Sequence, residues 1–255
     1  MLQLIYSSGS EFQKQRLHRR LLLHHLPLLA LSAISVAALY FTRPYKDVVM
    51  KASFATAYPA LILLAATLAI GPFNILTRRR NPVSLDFRRD LGIWAGILAV
   101  IHTVIGQNVH LRGRPWLYYV YERGSHHFLP IRHDVFGLAN YTGAFCTLVV
   151  LLLLATSNDY SLRRLGTRSW KKLQRWNYAA FALLAIHALA YEEGIEHQKL
   201  PFLVITIAGL ALALILQLCG FALRRLSNPS RAQITIGGEG SHSDSAIAEP
   251  SGNNG

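Results

Sequence analysis

"LGIWAGILAVIHTVIG", residues 91–106, carries no charge and a single ionisable side chain, His102. Sixteen such residues exceed what a soluble core helix needs, and the rest of the chain repeats the pattern. Of 255 residues, 52% are hydrophobic and 15% charged, with the apolar ones gathered into long blocks. That composition reads as an integral membrane protein. A hydrocarbon core of about 30 Å takes roughly 20 helical residues to cross. Six blocks qualify: His24 to Thr42, Ala55 to Thr77, Leu91 to Asn108, Val135 to Thr156, Leu173 to Tyr191 and Pro201 to Leu223. The fifth is the shortest in its uninterrupted apolar part. The expected fold is an all-α membrane protein, a bundle of six transmembrane helices over residues 24–223. A basic cytoplasmic segment, residues 1–23, would precede it, and a disordered cytoplasmic tail, residues 224–255, would follow.

The net charge of +13 is explained by topology. With both termini cytoplasmic, 18 of the 26 lysines and arginines fall on one side: Lys14, Arg16, Arg19 and Arg20 at the amino terminus, Arg78 to Arg80 with Arg88 and Arg89, Arg163 to Arg175, and the tail. This is the positive-inside asymmetry of a multi-pass inner (plasma) membrane protein of bacterial type. Nucleic acid is excluded as a partner, since neither a basic stripe nor an aromatic platform is present. The first block is longer than a secretory core and lacks a small-residue cleavage site, so it is expected to be retained. Cys146 and Cys219 have no partner spacing and suggest packing. No Gly-rich strand-to-helix fingerprint occurs, so no flavin or nicotinamide domain is expected and reducing equivalents come from elsewhere.

An ionisable group in hydrocarbon is costly and is by default a functional candidate. "AAFALLAIHALAYEEG", residues 179–194, supplies a second one, His187. His102 lies five residues before Gln107, and His187 five before Glu192; with both helices running outward, the rings share one level in the outer half of the bilayer. Two neutral imidazoles at one depth in an apolar bundle suit the axial positions of a b-type haem. A proton relay or another metal site would want further carboxylates, and the apolar interiors of the six blocks contain no Asp or Glu. An interhelical histidine contact in a haem-free transporter or assembly factor is the competing reading.

Several stretches resemble the ferric reductase-like transmembrane domain. They are "RRDLGIWAGILAVIHTVIG", "GRPWLYYVYERG", "DVFGLANYTGAFCTLVVLLLLATSND" and "LRRLGTRSWKKLQRWNYAAFALLAIHALAY". Within that family the chain is most similar to the bacterial haem-binding membrane subunits of the MsrQ or YedZ type, over about residues 55 to 223. The resemblance implies a six-helix haem b protein that moves electrons across the membrane, with His102 and His187 as axial ligands. It further implies a separate donor, a flavin reductase or quinol, with FMN, FAD or quinone bound through a partner or a second site. The acceptor would lie on the outer face, as an external reductase or a metal ion. Family members commonly carry another histidine thirteen residues before the fifth-span one; Gln174 stands there and is a poor haem ligand. Arg88, fourteen residues before His102, either lines an inner pocket, holds a propionate there, or is a topogenic charge. His24 and His25 are alternative inner ligands. The outer loop between the third and fourth spans holds His110, His126, His127 and His133. It also carries Arg112 and Arg114, which are candidates for the haem propionates, and Arg123 and Arg132.

Overall fold

Helices account for nearly all of the described chain because intra-segment hydrogen bonding is what a lipid solvent demands of a backbone. A computed structural model describes residues 15, 17–77, 83–111, 113–124, 127–195 and 200–226. Lys14, Arg16, Arg78 to Arg80, Arg112, His126 and the tail beyond residue 226 lie outside the described residues.

Helix α1, Leu26–Thr42, continues out of a π-helical turn, Leu21–His25. Helix α2, Val48–Leu76, starts seven residues before the apolar block, because Asp47 caps it. The Asp47 carboxylate accepts from the backbone N–H of Val49 at 2.7 Å and of Met50 at 3.0 Å, satisfying donors that a helix start leaves open. Helix α3 is Val83–Gly106 and α4 is Val135–Ala155, capped by Asp134. Helix α5, Asp159–Gln174, is strongly amphipathic and basic; α6 is Asn177–Gly194 and α7 is Leu200–Leu226. A 3-10 turn, Pro115–Tyr118, and one antiparallel bridge, Val120 to Ile131, order the loop between α3 and α4.

Among the described residues, five helices are long and apolar enough to cross a membrane, from the one spanning Leu17–Thr42 to the one spanning Phe202–Leu223. Their outward faces are apolar, with Ile34, Leu148, Leu212 and Leu218 all more than half exposed, as lipid contact permits. The expected fifth span, Leu173 to Tyr191, needs correction. The chain breaks at Arg175 and Trp176, so Leu173 belongs to α5, and α6 is not among the five long apolar helices. Two bonds tie α5 across the end of α4: Trp170 Nε1 donates to the Thr156 carbonyl at 2.9 Å, and Arg89 pairs with Asp159 at 2.6 Å.

The core has two apolar clusters. Leu28, Leu63, Leu64, Leu91 and Leu98 join α1, α2 and α3, while Cys146, Val150 and Ala180 join α4 to α6. Helix α2 packs most extensively on α3, and α4 on α6. These two pairs set His102 against α2 and His187 against α4.

The apolar blocks themselves contain no Asp or Glu, but carboxylates just beyond two of them are buried. Asp90 is fully buried, held by Arg20, by His24 Nδ1 at 2.7 Å and by His25 Nε2 at 3.4 Å. Glu192 is buried at the other end. Each sits one residue beyond an apolar block, and helix continuation carries it into the bundle.

Candidate functional site

His102 projects from α3 toward α2. Its Nδ1 lies 2.9 Å from the Ser53 carbonyl oxygen, with the Ser53 hydroxyl at 3.5 Å. His187 projects from α6 toward α4, its Nδ1 2.7 Å from the Ala139 carbonyl. A carbonyl only accepts, so each Nδ1 carries the proton and each Nε2 keeps a free lone pair. The ring centres are 6.2 Å apart with planes at 72°. Both rings line one cavity of about 180 Å³.

Small and hydroxylated residues make room there. A Cβ added at Gly143 would lie 2.7 Å from His187 Nδ1 and 2.8 Å from Cε1, so only glycine admits the ring in this position. The Thr103 and Thr147 hydroxyls meet at 2.8 Å, and each also reaches the carbonyl four residues back. These polar groups are satisfied within the bundle.

One rim of this cavity is built by the α3–α4 loop. Tyr118 is fully buried; its hydroxyl donates to the Gly106 carbonyl at 3.1 Å and accepts from the backbone N–H of His110 at 2.9 Å and of Leu111 at 3.3 Å. It thereby closes the frayed end of α3. His110 stacks on Tyr191 with centroids 6.1 Å apart, and Tyr191 donates to Asn140 at 2.9 Å. Tyr119 accepts from Gln107 at 2.9 Å; burial pushes its phenol above the usual range against that bond. Arg132 holds Asp134 at 3.0 Å. Burial alone would raise the Asp134 carboxyl, but the hydrogen bonds from Arg132 and the Gly137 N–H outweigh it and hold it below the ordinary carboxylate value.

The remaining candidates are not at this cavity. Arg88 Nε donates to the Thr67 carbonyl at 3.0 Å, and the residue lines a second, inner cavity of about 760 Å³ with Arg89, Lys171, Gln174 and Arg175. The Gln174 amide nitrogen is buried there without a hydrogen-bond partner. Arg114 is half exposed and paired with Glu122 at 2.8 Å, and does not line the histidine cavity. His24 and His25 are committed to Asp90. His127 stacks on Tyr121 at 3.6 Å, and among the described residues no group of three metal-ligating side chains gathers. Cys146 donates to the Ala180 carbonyl at 3.3 Å, so it serves packing.

Sequence reasoning missed a polar cluster on the same cavity. Tyr58 and Thr206 donate to one oxygen of Glu192, at 2.5 Å and 2.7 Å, and Arg43 is buried between the Phe54 and Phe202 rings, 3.5 Å and 3.3 Å from their centres. The position of Glu192, five residues beyond His187, was the available clue.

Proteins of known name support this placement of the chain. The chain is 29% identical over 170 residues to the protein-methionine-sulfoxide reductase heme-binding subunit MsrQ of Salmonella paratyphi B, covering 66% of this chain and 76% of that one. The MsrQ proteins of Salmonella newport and Salmonella agona match to the same extent. No solved structure matches. Residues 55–185, which include His102 and the Gly143 cradle and end two residues before His187, match the ferric reductase like transmembrane component, and the chain belongs to that family.

Proposed function

We propose that this chain is a haem b-binding membrane subunit that passes single electrons to an acceptor on the outer face, with His102 and His187 as the axial ligands. The observation that carries the reading is the pair of carbonyl-fixed imidazoles facing one cavity. Metal-ligating histidines almost always give their other N–H to a carbonyl or carboxylate, which sets tautomer and ring orientation, and both rings do so here. The ring centres are 6.2 Å apart on one cavity, so His102 and His187 together would hold the haem iron. The heme-binding name of the relatives points the same way.

Bound there, haem would supply reversible one-electron chemistry at iron. The protein does the rest. Ser53 and Ala139 carbonyls fix the tautomer and orientation of the imidazoles; Gly143 keeps space beside His187; walls that include Phe54, Ala57, Ala60, Leu61 and Leu184 supply an apolar surround that lowers the local dielectric. The Tyr118-closed loop covers the outer end, close to where an acceptor would dock. With α6 crossing as a sixth span and both termini cytoplasmic, the basic α5 would lie inside, and the donor, a flavin reductase or membrane quinol, would approach from that side.

The test is an oxidised and dithionite-reduced absorption spectrum of purified protein. A Soret band with sharp b-type bands on reduction is expected, lost on replacing either histidine with alanine. Colourless protein after haem supplementation would overturn the reading.

A further inference from the structure

Glu192 presents an imbalance that packing does not explain. Its Oε1 accepts both available hydroxyls, from Tyr58 on α2 and Thr206 on α7. Its Oε2 is buried with no hydrogen-bond partner, and two nitrogens of Arg43, Nε and Nη2, are buried and unpartnered as well. The two residues do not form an ion pair, yet they lie within electrostatic reach of each other. A buried polar atom left open in this way calls for an explanation, and an ionised carboxylate with one bare oxygen is held at a cost that a proton would remove. Glu192 lines the same cavity as His102 and His187.

We propose that Glu192 is a redox-linked proton acceptor for the electron carried between the two histidines. The inference rests on the haem reading above. When the iron is ferric, Glu192 is ionised, its charge balanced by Arg43 and by the two hydroxyl bonds. One electron from the donor reduces Fe(III) to Fe(II), and one proton from the outer aqueous phase forms an O–H bond at Oε2. On oxidation the same proton leaves, so the cavity's net charge stays constant through the cycle. Constancy matters because uncompensated charge is expensive in a low-dielectric interior. The titratable and charged groups facing Glu192 are Tyr58 from α2, Arg43 and Tyr45 from the α1–α2 connection, His102 from α3, His187 and Tyr191 on its own helix, and His110 from the outer loop. Tyr58 already donates to Oε1 and Arg43 has no proton to lose, so the open oxygen of Glu192 is the position that changes.

The experiment is a redox titration of the haem-loaded protein at a series of pH values, read optically and by reduced-minus-oxidised infrared difference. In the wild type the midpoint potential falls with rising pH, toward about 59 mV for each tenfold change in proton activity, the one-electron conversion. A protonated-carboxyl carbonyl band appears on reduction. Glu192→Gln flattens the slope and removes the band while haem content is retained. Thr206→Val, which deletes one donor to the carboxylate and so raises its proton affinity, moves the sloping region to higher pH. A flat wild-type potential, an equal slope in Glu192→Gln, or an unmoved region in Thr206→Val overturns the proposal. Should Glu192→Gln lose haem, Thr206→Val alone decides. Absence of haem from the wild type would instead remove the underlying reading, and haem bound through both histidines with a pH-independent potential removes only this one.

Discussion

The two cavities of this bundle share helices but not chemistry. The outer one joins α2, α3, α4 and α6 around two imidazoles whose protons are fixed by backbone carbonyls. The second is walled by the same four helices, with α5 and α7, and offers three arginines, a lysine, one carboxylate, Asp86, and the amides of Gln174, Asn177 and Gln217. Fourteen residues back along α3 from His102 stands Arg88, and thirteen back along the chain from His187 stands Gln174. Imidazole suits iron, whereas a guanidinium has no lone pair to give and an amide is a weak ligand. On the proposed reading, one scaffold carries ligating side chains at one cavity and mainly cationic and amide side chains at the other.

The sharpest way to break this contrast is at the histidines. His102→Ala or His187→Ala is expected to abolish haem retention at the outer cavity, measured as haem per polypeptide. Gly143→Ala tests the cradle: its methyl would fall within 2.8 Å of the His187 ring, so haem content should drop on the order of tenfold, the low end of effects seen when ligand orientation is disturbed. Tyr118→Phe removes three hydrogen bonds over the end of α3 and should destabilise the detergent-solubilised protein by about 1–3 kcal/mol, read from thermal unfolding. Gln174→Ala addresses the inner side. Its amide nitrogen has no partner to lose, so haem stoichiometry should stay unchanged and stability should shift by less than about 1 kcal/mol. Loss of haem from that variant would move ligation inward and reverse the comparison.

The smallest effect concerns Asp134 on the outer loop. Its folded-state value is held below normal by Arg132 and the Gly137 N–H, so the stability it contributes is present above the usual carboxylate range and lost as pH falls through the folded value. Asp134→Asn should flatten the acid limb of a stability–pH profile slightly, because the group is partly exposed and solvent screens it.

Much of the membrane helices' placement was readable in hydropathy, and the pairing of His102 with His187 in depth. The break between α5 and α6 was not, because the expected block was carried back to Leu173, which stands among Lys171, Lys172, Gln174 and Arg175; in the structure Trp170 fastens α5 to the end of α4 and Arg89 fastens it to α3. The partner of Arg114 was not legible either: Glu122, eight residues on, pairs with it in the structure.

From the residues alone followed the solvent this chain is built for and the two imidazoles it buries, since both depend on local composition and helical rise. The partners of those imidazoles came only with packing. Ser53 and Ala139 act through main-chain oxygens, which every residue possesses and no side-chain pattern marks, and Tyr58 meets Glu192 across 134 positions of chain. Which nitrogen carries a proton, and which buried oxygen goes without one, are consequences of helices meeting.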